Sequence, residues 1–155
     1  MHQQPGSDGY VLEIPVKSMD FKAAGEGASR IKQTLKKIGF APEVVRRAAI
    51  AAYEAEMNIV IHTHGGVLEA RFYPDKVELA ARDKGPGIPD ISLAMQEGFS
   101  TAPQRVREMG FGAGMGLPNI KKCVDHLAIE TEIGKGTLVR MVIFNRSEGK
   151  DLTGS

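Results

Sequence analysis

Residues 54–58 read Glu-Ala-Glu-Met-Asn, inside the longer run VVRRAAIAAYEAEMNIVIHT that spans Val44 to Thr63. The run is apolar and rich in alanine, which predicts a helix able to pack closely against its neighbours. Glu54 and Asn58 stand one turn apart and share a helical face. A carboxylate and an amide facing inward are costly unless they find partners. They therefore either hydrogen-bond within the core or line a site. Glu56 lies about 200° around the helix from Glu54, which predicts a solvated side chain.

Outward from this helix the pattern is regular. Pro42 and Glu43 suit its first turn, and Gly65-Gly66 end it. Upstream, AGEGASRIKQTLKKIGF reads as a second helix with Ile31, Leu35 and Ile38 as its apolar stripe and Gly39 as its stop. Before it, YVLEIPV (Tyr10 to Val16) alternates loosely as a strand, and Pro15 places it at a sheet edge. Downstream, VLEARFY and KVELAARD read as a hairpin turning at Pro74-Asp75. A long glycine-rich segment follows, with a short helix around Ile91 to Glu97. LPNIKKCVDHL then predicts a helix with Leu117, Ile120, Val124 and Leu127 on one face. AIETEI and TLVRMVIF read as two strands around a glycine turn. This order predicts an α/β two-layer sandwich, with a mixed, mostly antiparallel sheet and helices on one face. Residues 10–145 form one domain in this reading, and 1–9 and 146–155 are flexible tails.

Bulk composition narrows the function classes. The chain has 155 residues, 42% hydrophobic and 25% charged, as expected for one packed domain. A formal net charge of +1 argues for neither nucleic acid nor an anionic membrane as partner. Cys123 is the only cysteine, so no intrachain disulfide can form. No apolar run reaches membrane-spanning length, and MHQQPGSDGY lacks a signal-peptide core, so a soluble cytoplasmic protein is expected.

Glycine is the outlier, with 18 residues, many of them between Gly85 and Gly116. Four pieces could share one pocket: Glu54 with Asn58, DKGPG (Asp83 to Gly87), GFGAGMG (Gly110 to Gly116) before a helix, and GKGT (Gly134 to Thr137). A glycine-rich run entering a helix is an anion site, because backbone N–H groups approach closely and the helix dipole adds to them. The spacing is not that of a P-loop, since no lysine follows, and it does not follow a strand as a dinucleotide fingerprint does.

The four pieces in this order resemble the GHKL (Bergerat-fold) ATPases, and the resemblance covers Tyr10 to Phe144. Within that superfamily the chain looks like the small bacterial anti-sigma factor and switch-protein serine kinases. The resemblance implies ATP and Mg²⁺ as cofactors. It makes Glu54 the catalytic general base and Asn58 the Mg²⁺ ligand. It makes Asp83 the acceptor for the adenine amino group, Gly85 and Gly87 the close backbone approach to the base, and Ile88 its packing surface. Gly110, Gly112, Gly114 and Gly116 match the phosphate-wrapping lid, with Met115 and Leu117 donating backbone amides. Thr137 matches a hydroxyl that supports Asp83 through water.

Other residues keep two readings. His62 continues the Glu54/Asn58 stripe as either a phosphate contact or a helix-end cap. Ser100 and Thr101 either contact phosphate or turn the chain, and Arg105 is either a γ-phosphate clamp or part of a solvated loop. The basic face at Arg30, Lys32, Lys36 and Lys37 is either solvated or docks an acidic partner. The function implied is an ATP-dependent serine/threonine protein kinase, with weak ATPase activity, acting on a small antagonist-type regulatory protein. A sigma factor is a further partner class, and the resemblance also implies a homodimer. The alternatives are a nucleotide-dependent binding switch that sequesters a regulator without phosphotransfer, and a detached histidine-kinase-like ATPase domain.

Overall fold

The computed structural model describes residues 9–96 and 116–146. Within them the chain runs β1 (Tyr10–Val16), α1 (Glu26–Lys37), α2 (Pro42–His62), β2 (Gly66–Phe72) and β3 (Lys76–Asp83). It continues through a single-turn α3 (Ile91–Ala94), α4 (Gly116–Cys123), β4 (His126–Glu132) and β5 (Gly136–Phe144). The strands form a five-stranded sheet in the order β1-β2-β3-β5-β4. Every neighbouring pair is antiparallel. This is the α/β sandwich predicted above, with β1 and its Pro15 at one edge.

Alternation sets the two faces of the sheet. Leu68, Ala70 and Phe72 on β2, and Val139, Met141 and Ile143 on β5, are buried against the helices. The opposite face carries charged residues between the strands' apolar positions, with ion pairs such as Arg71–Glu69 at 3.3 Å and Arg140–Glu130 at 3.7 Å. Pairs this open to water contribute at most about 1 kcal/mol.

α2 is the central helix. It packs on α1 and on α4, and its inner side lies over β2, β3 and β5. The alanines foreseen as packing residues do this: Ala48, Ala51, Ala52 and Ala55 are all essentially inaccessible. α1 contributes Ile31 and Leu35, both at 0% exposure. Each such side chain contributes about 2 kcal/mol by leaving water. Among the described residues, no helix is long and apolar enough to cross a membrane.

Two element boundaries differ from expectation. Ile38 is 51% exposed and belongs to the C-cap of α1, not its buried stripe. The chain turns there through Gly39 at φ 88°, so Phe40 takes the buried position instead. Leu127 lies in β4, not in the helix that begins at Gly116. The Asp125 amide donates to the Val142 carbonyl at 2.8 Å, so sheet pairing replaces helix pairing by that residue.

Candidate functional site

Glu54, Asn58 and His62 lie along one stripe of α2, and all three are half-buried. α4 packs against that stripe in the opposite direction. Its first residue, Gly116, meets Asn58: a Cβ there would lie 2.9 Å from the Asn58 amide oxygen. One turn later Asn119 Nδ2 donates to Glu54 Oε2 at 3.1 Å. At its end the Cys123 carbonyl accepts from Arg47 Nη1 at 3.1 Å. Arg47 is buried and lies 3.9 Å from Asp125, whose carboxylate accepts the Phe144 amide at 2.8 Å. The register between the two helices is thus held at both ends.

The end of α2 also meets the end of β3. The Lys84 amide donates to the Gly65 carbonyl at 2.9 Å, and the His64 amide donates to the Lys84 carbonyl at 2.7 Å. Thr63 Oγ1 donates to the Ile59 carbonyl at 2.7 Å and accepts from the Gly65 amide at 3.0 Å, closing the helix end. These bonds hold the residue after Asp83 against the chain that leaves α2 after His62. A Cβ on Gly85 would lie 3.0 Å from the Thr63 side chain, a tight contact that glycine avoids.

Asp83 Oδ1 accepts the Thr137 backbone amide at 3.2 Å. Burial pushes the Asp83 carboxyl above the ordinary carboxylate value, and the Thr137 amide pulls it part of the way back. The Thr137 hydroxyl instead pairs with Thr131 Oγ1 at 2.9 Å. Thr131 Oγ1 also accepts the Ile88 amide at 2.8 Å, which ties the loop after β3 to β4. Gly87 takes φ 83°, and a Cβ there would lie 2.8 Å from the Glu132 carbonyl, so this turn also needs glycine. Ile88 packs against the core edge. Burial lowers the pKa of His62 below the ordinary histidine value.

The structure therefore brings Glu54, Asn58, His62, Asp83, Gly85, Gly87, Ile88, Gly116, Leu117 and Thr137 to one side of the sandwich, around α2, α4, the end of β3 and the start of β5. Ser100, Thr101, Arg105, Gly110, Gly112, Gly114 and Met115 lie outside the described residues. One expectation is corrected. Glu56 is not solvated but 3% exposed. Its carboxylate accepts the Gly27 amide at 3.1 Å and the Ala28 amide at 2.9 Å, in the first turn of α1. The face opposite Glu54 is covered by α1, so both faces of α2 carry a bound carboxylate.

Sequence reasoning missed Asn119 and Thr131. Asn119 stands three residues after Gly116 on a helix, hence on the same face, so helical spacing could have found it. Thr131 sits directly across from Thr137 in the β4–β5 register, which a hairpin alignment could have found.

A model of the histidine kinase-like ATPase domain matches residues 21–143. The chain belongs to this family. It is 30% identical over 115 residues to the serine/threonine-protein kinase RsbT of Bacillus subtilis, covering 72% of this chain and 80% of that protein. It is 35% identical over 99 residues to an anti-sigma F factor of Caldanaerobacter subterraneus, covering 64% of this chain and 62% of that protein. The chain thus spans less than two thirds of that second relative. Among solved structures, the RsbU and RsbW domains of a Mycobacterium tuberculosis protein align with TM-score 0.59 at 18% identity, over 88% of this chain and 32% of theirs. The catalytic domain of the histidine kinase ThkA aligns with TM-score 0.53 at 16% identity, over 89% and 97%. At these identities the structural likeness concerns the fold. Membership of an ATPase-domain family implies an ATP-binding site.

Proposed function

We propose that the chain binds Mg·ATP and transfers the γ-phosphoryl group to a serine or threonine hydroxyl of a small regulatory protein. The observation that carries this reading is the meeting of Glu54 and Asn58, on one stripe of α2, with the first turn of α4. There the Asn58 amide oxygen faces Gly116 and the Glu54 carboxylate takes its hydrogen bond from Asn119, so an amide oxygen and a carboxylate lie one helical turn apart on the same stripe.

The residues take distinct roles. Asp83 accepts the adenine amino group, oriented by the Thr137 amide. Gly85 and Gly87 let the backbone pass close to the base, and Ile88 packs on its face. The residues present fit a hard cation: Asn58 offers a neutral oxygen, and Gly116 leaves it uncovered by having no Cβ. Mg²⁺ held there, with waters and phosphate oxygens completing its shell, would neutralise charge on the phosphates. Glu54 takes the proton of the acceptor hydroxyl as that oxygen bonds to the γ-phosphorus. The bond from the γ-phosphorus to the bridging oxygen breaks, and ADP leaves. Most of the rate enhancement in this scheme comes from positioning and charge stabilisation.

Calorimetric titration of ATP tests the pocket, with and without Mg²⁺. Wild type should bind in a Mg²⁺-dependent manner, and Asp83→Asn should bind at least about ten-fold more weakly, since a hydrogen bond to a charged group is lost. Equal binding by both proteins would sink the assignment of Asp83. Likeness to the anti-sigma F factors favours a second reading, nucleotide-gated sequestration of a regulator without transfer. Glu54→Ala separates the two. Retained ATP binding with lost phosphorylation of the partner supports transfer, and undiminished control of the partner supports sequestration. The names of the relatives make sigma factors and their regulators the proteins to screen first.

A further inference from the structure

Asn119 is an unusual residue for its place. It stands in the middle of an eight-residue helix, between Pro118 and Ile120, both buried. Asparagine is a weak helix former because its side chain competes for backbone groups. Here the side chain is half-buried and reaches across to α2 instead, donating Nδ2 to Glu54 Oε2 at 3.1 Å. Among the described residues this is the one hydrogen bond to the Glu54 carboxylate, and it falls on Oε2, leaving Oε1 to take a proton. The helix that carries Asn119 is also fixed in register by Gly116 against Asn58 and by the Cys123 carbonyl on Arg47. Asn119 therefore has little freedom to slide along α2.

We propose that Asn119 is a positioning residue for phosphoryl transfer: its amide holds one oxygen of Glu54 and so aims the other at the acceptor hydroxyl or an attacking water. The inference rests on the reading of Glu54 as general base. Asn119 acts only through Glu54, so it contributes to turnover and not to nucleotide affinity. A carboxylate free to rotate spends less time in a productive geometry, and small misplacements of a base are costly in rate.

The test is a double-mutant cycle on Mg·ATP turnover by the full chain, with wild type, Asn119→Ala, Glu54→Gln and the double variant, each also titrated with ATP. Asn119→Asp serves as a same-shaped second variant that loses the donor and places an acid opposite Glu54. Asn119→Ala and Asn119→Asp should lower kcat about ten-fold with the ATP Kd within about two-fold of wild type. Asn119→Ala should have no further effect in the Glu54→Gln background. A merely structural role would instead lower both backgrounds equally, and that result overturns the proposal. So does wild-type kcat in both Asn119 variants while Glu54→Gln is inactive, which leaves the parent reading standing. Wild-type turnover in Glu54→Gln, or none in wild type, overturns the parent reading and this inference with it.

Discussion

His62 lies one turn beyond Asn58 on the same stripe, and burial holds its pKa below the ordinary histidine value. The folded state therefore favours the neutral ring. Above the unfolded pKa, about 6.5, both states are neutral and stability does not depend on this group. As pH falls through that value the unfolded chain takes up a proton first, and stability declines until the lower folded pKa is passed. His62→Gln removes this component. Urea unfolding should therefore show wild type losing more stability than His62→Gln between about pH 7.5 and 5.5. Parallel losses in the two proteins would mean that burial does not govern this histidine. Asp83 is shifted upward by the same cause, burial, because the charged form of an acid is the anion. Burial thus favours the neutral form of both side chains, while the Thr137 amide favours the Asp83 anion.

At the scale of elements, Glu56 explains how α1 begins. The N-cap of α1 is Gly25, which makes no side-chain cap hydrogen bond. The amides of Gly27 and Ala28 are satisfied by Glu56 instead, from 29 and 28 residues away. The carboxylate also sits at the positive end of the α1 dipole. Gly27 makes room for it, since a Cβ there would lie 3.2 Å from Glu56 Oε2. Glu56→Ala leaves two buried donors without an acceptor, at a cost of about 2–4 kcal/mol. Glu56→Gln keeps one acceptor oxygen and should cost about half as much. The urea midpoint of each variant, with the slope unchanged, reads these differences. A Glu56→Ala midpoint equal to that of wild type would show that the cap does not stabilise the fold. Because the same helix presents Glu54 on its other side, α2 anchors α1 through one carboxylate and supplies the proposed base with the next.

At the scale of the whole molecule, the candidate site draws on α2, β3, β4, β5 and α4, elements joined only by folding. A nucleotide that fits it binds the native state alone and so raises thermal stability. Saturation at about 100 times Kd adds about 2.7 kcal/mol, which corresponds to roughly 5–10 °C in Tm for a chain of this size. Mg·ATP should give that rise and Mg·GTP should not, because guanine lacks the amino group that Asp83 is proposed to read. Equal shifts with both nucleotides in a melting assay would count against adenine recognition by Asp83. Much of this design was legible in the chain. Two-residue alternation in the strands and alanine-rich periodicity in α2 predicted the layers, because those patterns follow from local geometry. Four short motifs in order pointed to the family and to Glu54, Asn58, Asp83 and Thr137. The helix expected over Leu117 to Leu127 ran too long, because strand pairing with β5 outcompetes helix pairing at Asp125. The sequence by itself determined which segments become helices and strands, because backbone sterics and hydrophobic period act over a few residues. Only the tertiary structure decided which polar group meets which. Glu56 found the amides of α1, and Asn119 found Glu54 from 65 positions away, through the stacking of whole helices that no local pattern encodes.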